Sequence, residues 1–325
     1  MKNMKLWIAA SLACTALAGT AYAQAGNYPN RPVKIIVAYG AGSGADTIAR
    51  IISDQLAAKL KGSVVVENQP GAGGAIGTVA AARANPDGYT LLFAPTTLTV
   101  SPHMEANPKY DATKDFTPIM RVATLPMVLV SGADQGIKTF DDLVKQAKAN
   151  PGKLNYATSG KGAPSHLEVA LLGKLLGLDV KDVPYRTGSQ AMTDVISGEV
   201  SFYFPVLPAA AQQITSGRMN ALAIGTKERS SRIPDTPTLG ELLKDPGYEA
   251  TVWYGLLAPA GTPKPVVDTL AGAMKDILAM PETQEKIANT GSEVSPMDQP
   301  EFAKFIKAEN AKWGDLVREL GLQTQ

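Results

Sequence analysis

The chain has 325 residues, of which 45 % are hydrophobic and 19 % are charged. This length suits two domains of roughly 100–200 residues better than one, and the composition is typical of a folded globular protein and excludes a disordered one. With 31 Lys plus Arg against 30 Asp plus Glu, the net charge is only +1, so no nucleic-acid partner is predicted.

The N-terminus has the pattern of a secretory signal peptide, predicted to span residues 1–23. Lys2 and Lys5 precede an apolar stretch over residues 6–18, which is shorter than the roughly 20 residues that cross a bilayer. A small-x-small site ends at Ala23. We therefore predict cleavage after Ala23 and a periplasmic location for the mature chain.

The single cysteine, Cys14, lies inside this predicted signal peptide. The mature chain is therefore expected to have neither disulfides nor thiol chemistry. A lipoprotein is an alternative, but Ser11 stands three residues before Cys14, where a lipobox normally has Leu.

The first part of the mature chain alternates between strand and helix patterns. Residues 33–38 are a short apolar run rich in β-branched residues, which predicts a buried strand. A glycine-rich turn follows, and Asp46 stands where a helix N-cap belongs. The same order then repeats, with a strand at 63–67, a glycine-rich turn at 70–77, a helix at 78–84 and a strand at 89–94. This β-α-β-α-β order predicts an α/β fold with a mostly parallel sheet.

A second unit of the same type is predicted to begin near residue 125. Its strands are predicted at 127–131, 154–158, 182–185, 201–204 and 221–226, with helices opening at 139 and spanning 166–176. An extended run at 251–257 and amphipathic helices at 265–280, 281–289 and 300–320 close the chain. We predict that the C-terminal part returns to the first unit. The expected domains are 24–123 with 249–325, and 124–248, joined by two crossing segments.

Two turns are candidate binding loops, at residues 39–46 and 158–166. Each joins a predicted strand to a predicted helix through glycines, so free backbone amides and the positive end of a helix dipole would meet there. Such a site suits an anion. The alternative is that these glycines only make tight turns.

The first loop also fits a dinucleotide fingerprint. Gly40, Gly42 and Ala45 match the spacing G-x-G-x-x-A, and Glu67 ends the next strand, where a ribose-binding acid is found. However, Asp46 would place a carboxylate beside the pyrophosphate, and an exported protein meets little nicotinamide cofactor. We therefore expect no cofactor, although a dinucleotide-dependent enzyme remains an alternative.

Residues for catalysis are scarce. The only histidines are His103 and His166, and Ser165 precedes His166 directly, so their side chains would not face each other on a helix. No G-x-S-x-G elbow and no metal-ligand spacing is present. Trp253 and Tyr254 are expected to be core or hinge residues. We predict a protein that is not an enzyme and binds no metal.

The chain resembles the substrate-binding receptors of tripartite tricarboxylate transporters, also called the Bug family, over nearly all of its mature length. The motifs that carry the resemblance occur in this order: Tyr28-Pro29-x-Arg31-Pro32, Gly42-Ser43-Gly44-Ala45-Asp46, Pro70-Gly71-Ala72-Gly73-Gly74, Asp87-Gly88-Tyr89-Thr90-Leu91, Asp115-Phe116-Thr117-Pro118-Ile119, Val183-Pro184-Tyr185-Arg186, Pro237-Thr238 with Glu241, Trp253-Tyr254-Gly255 and Ala258-Pro259-Ala260-Gly261-Thr262-Pro263. Each motif is weak alone, but their order is specific.

The resemblance implies a periplasmic-binding-protein architecture of the type II-like, Venus flytrap kind. Two α/β domains would close by a hinge on a small organic carboxylate, and the receptor would deliver it to the membrane subunits of the transporter. The implied ligand-binding residues lie in the two loops and just past the third strand; they are Tyr39, Gly42, Ser43, Asp46, Thr96, Thr97, Thr158, Ser159, Ser165 and His166. A monomer is the default for such a receptor, and a sensor module with the same ligand is an alternative.

The chain departs from the family pattern at two informative places. Tyr39-Gly40 stand where the family usually has Phe-Pro, and Pro205 stands where it often has an acid after Phe204. Without that acid an ammonium group would lack a counter-charge. The departures favour a carboxylate without an amine, such as a dicarboxylate, a tricarboxylate or an aromatic acid.

Overall fold

A computed structural model describes residues 28–323 of the chain. The predicted signal peptide, its cleavage site and Cys14 lie outside the described residues. The first of two sheets has six strands in the order β11-β4-β10-β3-β1-β2. Its strands are β1 (Val33–Val37), β2 (Val64–Asn68), β3 (Thr90–Pro95), β4 (Phe116–Pro126), β10 (Thr251–Pro259) and β11 (Glu293–Met297).

The second sheet has five strands in the order β7-β6-β8-β5-β9. They are β5 (Val128–Gly132), β6 (Asn155–Thr158), β7 (Lys181–Pro184), β8 (Phe202–Tyr203) and β9 (Met219–Ile224). The chain passes from the first sheet to the second between Pro126 and Val128, and returns between Ile224 and Thr251. Two crossings were predicted, near residues 124 and 249. The assignment of domain boundaries stays a prediction.

Both sheets are mixed rather than mostly parallel, which corrects one detail of the predicted α/β fold. In the first sheet β2, β1 and β3 run parallel, but β10 is antiparallel to both β3 and β4. In the second sheet β7, β6 and β8 run parallel, and β5 is antiparallel to β8 and β9. Among the described residues, every antiparallel pair of these sheets includes β4, β5 or β10, the strands next to the two crossings. The repeated strand-helix-strand units that give parallel pairs are interrupted at these crossings.

Eleven α-helices cover the sheets within residues 28–323. They are α1 (Gly44–Leu60), α2 (Ala75–Ala82), α3 (Thr97–Met104), α4 (Phe140–Ala149), α5 (Pro164–Leu176), α6 (Gly188–Ser197), α7 (Leu207–Thr215), α8 (Leu239–Leu243), α9 (Lys264–Ala279), α10 (Pro281–Asn289) and α11 (Gln299–Glu319). A 3-10 turn over Ala72–Gly74 precedes α2. None of the helices in the described part of the chain is long and apolar enough to cross a membrane.

The two sheets have separate cores, and a smaller cluster joins them. The largest core packs β1, β3, β4 and β10 against α1 and α9, and a second one surrounds β5, β6 and β8. The joining cluster contains Val100 of α3, Leu167 of α5 and Trp313 of α11, all of them buried. Burial of such large apolar side chains holds α11, from the C-terminal end of the chain, against α5 of the second sheet.

Candidate functional site

The first loop connects the end of β1 to the start of α1. Ser43 is the N-cap of α1, and its hydroxyl accepts a hydrogen bond from the Asp46 amide at 3.3 Å. The first two helical residues, Gly44 and Ala45, have amides without an intrahelical acceptor. Gly42 has a φ of +81°, which favours glycine at this position. The loop therefore presents donors at the positive end of a 17-residue helix.

Asp46 is not the N-cap that the sequence pattern predicts. It is the third residue of α1, because Ser43 supplies the cap three residues earlier, and its side chain reaches back to accept from the Gly42 amide at 2.9 Å. Asn68 donates to the same carboxylate at 2.8 Å, and Arg50 pairs with it at 2.9 Å. The carboxylate is buried, and both of its oxygens already accept hydrogen bonds from protein groups. Asp46 therefore holds the loop in shape and is not free to contact a ligand.

The charge of Asp46 is well compensated. Burial on its own would raise the pKa of this carboxyl, but hydrogen bonds from Arg50, Gly42 and Asn68 outweigh burial and lower the pKa below its ordinary value. Asp46 is therefore ionised at neutral pH, and the Arg50 guanidinium balances it. An incoming anion at the start of α1 meets no uncompensated negative charge there.

Tyr39 ties three segments together. Its hydroxyl lies 3.0 Å from the Gly73 carbonyl and 2.6 Å from the Thr97 hydroxyl. A phenol has one proton and a carbonyl can only accept, so Tyr39 donates to Gly73 and Thr97 donates to Tyr39. Burial raises the pKa of Tyr39, which keeps the phenol neutral. The ring is thus fixed at the edge of the first loop with its proton already in use.

Thr96 and Thr97 are neighbours with different surroundings. The Thr96 side chain is buried, and its hydroxyl accepts from the Trp253 amide at 2.9 Å, which links the end of β3 to β10. Thr97 is partly exposed and lines a cavity of about 200 Å³. Eight residues line this cavity: Tyr39, Ser43, Gly44, Ala45, Pro95, Thr97, Val252 and Tyr254.

The second loop lies between β6 and α5. Thr158 is fully buried, and its hydroxyl accepts from the Gly160 amide at 2.8 Å and lies 3.0 Å from the Gly160 carbonyl. The Ser165 hydroxyl accepts from the Ser159 amide at 3.1 Å. Thr158 therefore uses its hydrogen bonds to shape the loop, whereas the Ser165 hydroxyl keeps its own proton for another acceptor.

His166 is the third residue of α5 and is buried. Its Nδ1 accepts from the Gly162 amide at 3.4 Å, so in the neutral ring the proton is on Nε2. Burial lowers the pKa of this imidazole, and nearby Lys161 lowers it further, while Asp182 opposes them. A neutral His166 can donate through Nε2 but has no nucleophile to activate.

Helix α3 connects the two loops. Its first residue, Thr97, lines the cavity at the first loop, and its last, Met104, reaches the second loop, where its side chain lies 3.0 Å from the position of a Cβ added at Gly162. These two residues are seven positions apart, which is about 10 Å along a helix. Helix α3 therefore has its first residue beside the first loop and its last residue beside the second.

Other features of the described residues do not form a competing catalytic or metal site. Within residues 28–323 no group of three or more His, Cys, Asp or Glu side chains could hold a metal ion. Glu67, the acid of the alternative dinucleotide fingerprint, pairs with Lys34 at 2.6 Å. Three larger cavities lie away from both loops. Those of about 350 and 380 Å³ are beside Glu249, where the chain returns to the first sheet, and one of about 620 Å³ lies between α9, α10 and β11.

Comparison with known families decides the class of protein. The model of the tripartite tricarboxylate transporter family receptor matches residues 48–322. The chain belongs to this family. BugT of Bordetella pertussis (strain Tohama I) is 32 % identical to it over 299 residues, which is 91 % of each chain. The predicted family membership is thereby confirmed, and so is the prediction of a receptor rather than an enzyme.

Solved structures of similar proteins agree with the fold. The periplasmic binding protein BugD is 35 % identical and superimposes with a TM-score of 0.70 over 92 % of this chain and 100 % of BugD. A Rhodopseudomonas palustris protein solved with adipate is 27 % identical, with a TM-score of 0.72 over 90 % of this chain and 98 % of its own. MatC from the same organism, with bound malate, is 28 % identical, with a TM-score of 0.69 over 89 % and 100 %. The predicted two-domain periplasmic-binding-protein architecture is confirmed.

One residue of the cavity with a hydrogen-bonding side chain, Tyr254, is not among the predicted binding residues. Tyr254 belongs to the core, as expected, and it also lines the cavity beside Gly44, which was not predicted. Trp253, the other residue of the pair, is in the core. The alternation of side chains along a strand requires that neighbours face opposite ways, and this was the signal available from the sequence.

Proposed function

We propose that this receptor binds a small organic carboxylate between the loops at residues 39–46 and 158–166 and delivers it to the membrane subunits of a tripartite tricarboxylate transporter. The observation that carries the proposal is the start of α1, where the amides of Gly44 and Ala45 and the Ser43 hydroxyl adjoin a cavity of about 200 Å³. Adipate and malate in two related structures support a carboxylate ligand.

Neutral donors are sufficient for useful affinity. A hydrogen bond to a charged group contributes roughly 1.5–3 kcal/mol, so four of them give roughly 6–12 kcal/mol before ordering costs. A micromolar complex requires about 8 kcal/mol. The first loop offers two amides and the Ser43 hydroxyl, and a helix dipole adds to them. No arginine clamp is needed.

The second loop is proposed to bind the other end of the ligand. Its free donors are the Ser165 hydroxyl, the Nε2–H of His166 and the exposed ammonium of Lys161. A dicarboxylate, a tricarboxylate or an aromatic acid with a polar tail has a second polar end that these donors could bind. Thr158 and Ser159 are proposed to shape this end, since the Thr158 hydroxyl and the Ser159 amide are engaged within the loop.

Ligand bridging is proposed to close a hinge between domains at 24–123 with 249–325 and at 124–248. The chain crosses between the sheets only twice within the described residues, at 126–128 and 224–251. A ligand that contacts both loops binds the closed state better than the open one and shifts the population towards it. We propose a monomeric receptor in the periplasm, exported by the signal peptide at residues 1–23.

A thermal-shift and calorimetry experiment tests carboxylate capture. The purified mature protein would be titrated with succinate, malate, adipate, citrate and benzoate, each beside its amide. We expect one acid to raise the melting temperature and its amide not to, since binding only to the folded state stabilises it. Ser43→Ala and Ser165→Ala should each weaken binding, whereas Ser216→Ala, an exposed serine on α7's C-cap, should not. Equal binding of acid and amide would contradict the proposal.

Delivery to a transporter needs a separate test. Uptake of the identified acid would be measured in cells with and without the membrane subunits, each with and without this receptor. Transport that requires both components supports delivery. Binding without any dependence of uptake on the receptor would instead favour the sensor alternative.

A further inference from the structure

Tyr254 occupies a rigid position in the centre of the first sheet. Its strand, β10, pairs with β3 on one side and β4 on the other, and Tyr254 lies opposite Pro95 in the register with β3. The phenol ring stacks on Phe93, with ring centroids 6.1 Å apart and planes 4° from parallel. The side chain is only 6 % exposed. Its direction is therefore set by the sheet and the stacked ring.

The hydroxyl of Tyr254 points at the start of α1. A Cβ built on Gly44 would lie 2.8 Å from the Tyr254 hydroxyl oxygen and 3.7 Å from the ring carbon that carries it. This places the hydroxyl beside the first helical residue, whose amide has no intrahelical acceptor. Only a residue without a side chain leaves room for this approach.

This hydroxyl forms no hydrogen bond with any residue between 28 and 323. Its oxygen is not one of the fully buried unpaired atoms of the described residues, so it is open to the cavity that Tyr254 lines. A phenol with a free proton in such a position can donate to a molecule that enters the cavity. Tyr39 makes a useful contrast, because its proton is committed to the Gly73 carbonyl. Of the two tyrosines in the cavity, only Tyr254 is free to donate.

We infer that Tyr254 selects the ligand: its hydroxyl donates to the same carboxylate that the amides of Gly44 and Ala45 bind, and the carbon next to that carboxylate must carry no ammonium group. The inference rests on the proposed function and deepens it.

Two properties of the cavity support this selectivity. Burial raises the pKa of Tyr254 to about 12, so the phenol is a neutral donor at every physiological pH. None of the eight residues that line the cavity is acidic. Three of them, Pro95, Val252 and Ala45, give the cavity an apolar wall beside the hydrogen-bond donors. The nearby Asp46 carboxylate already accepts hydrogen bonds from the Gly42 amide and the Asn68 side chain and forms an ion pair with Arg50. An ammonium group here would lose its hydration without gaining a counter-charge, which is costly.

The test compares Tyr254→Phe with Tyr89→Phe by calorimetry and thermal melting, using the organic acid that binds the wild type best in the panel above. Tyr89 is the matched control because its hydroxyl bonds Asn30 at the far end of β3. Tyr254→Phe should leave the melting temperature of the ligand-free protein unchanged and raise Kd about ten- to a hundredfold. Tyr89→Phe should leave Kd unchanged.

A second pair of variants distinguishes the loss of the Tyr254 hydrogen bond from a steric block at Gly44. Gly44→Ala should abolish binding, because its Cβ collides with the Tyr254 hydroxyl. The double variant Gly44→Ala/Tyr254→Phe removes the collision but not the loss of the donor, so it should bind about as weakly as Tyr254→Phe. A Kd for Gly44→Ala equal to that of the wild type would overturn the inference.

Malate and aspartate test whether an ammonium group is excluded. The two acids have the same carbon skeleton, but one carbon carries a hydroxyl group in malate and an ammonium group in aspartate. Malate should bind more tightly than aspartate, and a tighter aspartate complex would overturn the proposed selectivity. An unchanged Kd in Tyr254→Phe overturns the role of Tyr254 but leaves carboxylate capture intact. A wild type that binds no acid at all overturns the proposed function and this inference with it.

Discussion

Replacement of Glu168 by Gln should remove a pH dependence of stability that is built into the contact between the two sheets. Glu168 lies on α5 and is only 3 % exposed, and the Tyr248 hydroxyl donates to its Oε2 at 3.3 Å. Burial raises the pKa of this carboxyl to about 7; Lys312 on α11 opposes the shift, and Glu309 and Glu249 add to it. The folded protein therefore holds a proton on Glu168 that the unfolded chain releases at a lower pH.

The sign and size of the effect follow from this difference. An unfolded Glu titrates near 4.5 and the folded one near 7, so the folded state binds more protons between these values and stability falls as the pH rises. A difference of about 2.5 pKa units corresponds to about 3 kcal/mol. This stability is present below pH 4.5 and is lost once the pH has passed 7.

Urea unfolding measured from pH 4.5 to 8.5 tests the prediction. Glu168→Gln keeps an acceptor for Tyr248 and cannot titrate, so the difference in unfolding free energy between variant and wild type should change by about 3 kcal/mol across this range, in favour of the variant at high pH. Glu285→Gln, on the exposed face of α10, should follow the wild type. A pH profile of Glu168→Gln parallel to that of the wild type would refute the reasoning.

Three further substitutions test the loop and the packing around it. Asp46→Ala should lower the unfolding free energy by about 1–3 kcal/mol and weaken carboxylate binding, because the Gly42 amide loses its acceptor. Binding measured by calorimetry and a melting temperature that both equal those of the wild type would contradict this. Gly255→Ala should cost about 1–3 kcal/mol in urea unfolding, since its Cβ would lie 2.2 Å from the Phe302 ring; a variant as stable as the wild type would show that the ring moves freely. Thr238→Ala should cost about 1 kcal/mol by removing the capping box of α8, without any change in Kd.

Much of the fold could be predicted because local patterns and tertiary structure agree there. The apolar run of β1, the glycine-rich turn and the helical spacing of α1 each point to the element that forms, and the predicted helix at 281–289 matches α10 residue for residue. The two crossings could also be anticipated, because the strand-helix alternation restarts after the first and gives way to terminal helices after the second.

Other elements depend on contacts that the local sequence does not reveal. Helix α3 contains Pro102 and several β-branched residues, which disfavour a helix, and packing against α11 overrides this propensity. Strand β11 contains Pro296 and is an edge strand, and only its partner β4 makes it a strand. The antiparallel insertion of β10 between β3 and β4 is likewise decided by the return of the chain from the second sheet.

Some residues of the candidate site could likewise be predicted from the sequence, and others could not. Ser43 could be anticipated because a glycine-rich strand-to-helix turn determines which donors are free. The N-cap was misassigned to Asp46 because Ser43 and Asp46 are both good capping residues, and only the position of the first helical turn distinguishes them. The roles of Thr96 and Thr97 could not be distinguished from the sequence, because they depend on tertiary contacts. The Thr96 hydroxyl bonds the backbone of β10, whereas Thr97 lines the cavity.

Adjacent residues of β10 have separate roles because a strand turns alternate side chains to opposite faces. Trp253 packs edge-on against Phe302 and Phe305, at centroid distances of 5.6 and 5.8 Å, on the face that α11 covers. Tyr254 points the other way, onto Phe93 and the start of α1. The same strand therefore anchors the C-terminal helix with one side chain and presents a hydroxyl to the cavity with the next, so that the packing of α11 keeps that hydroxyl in place.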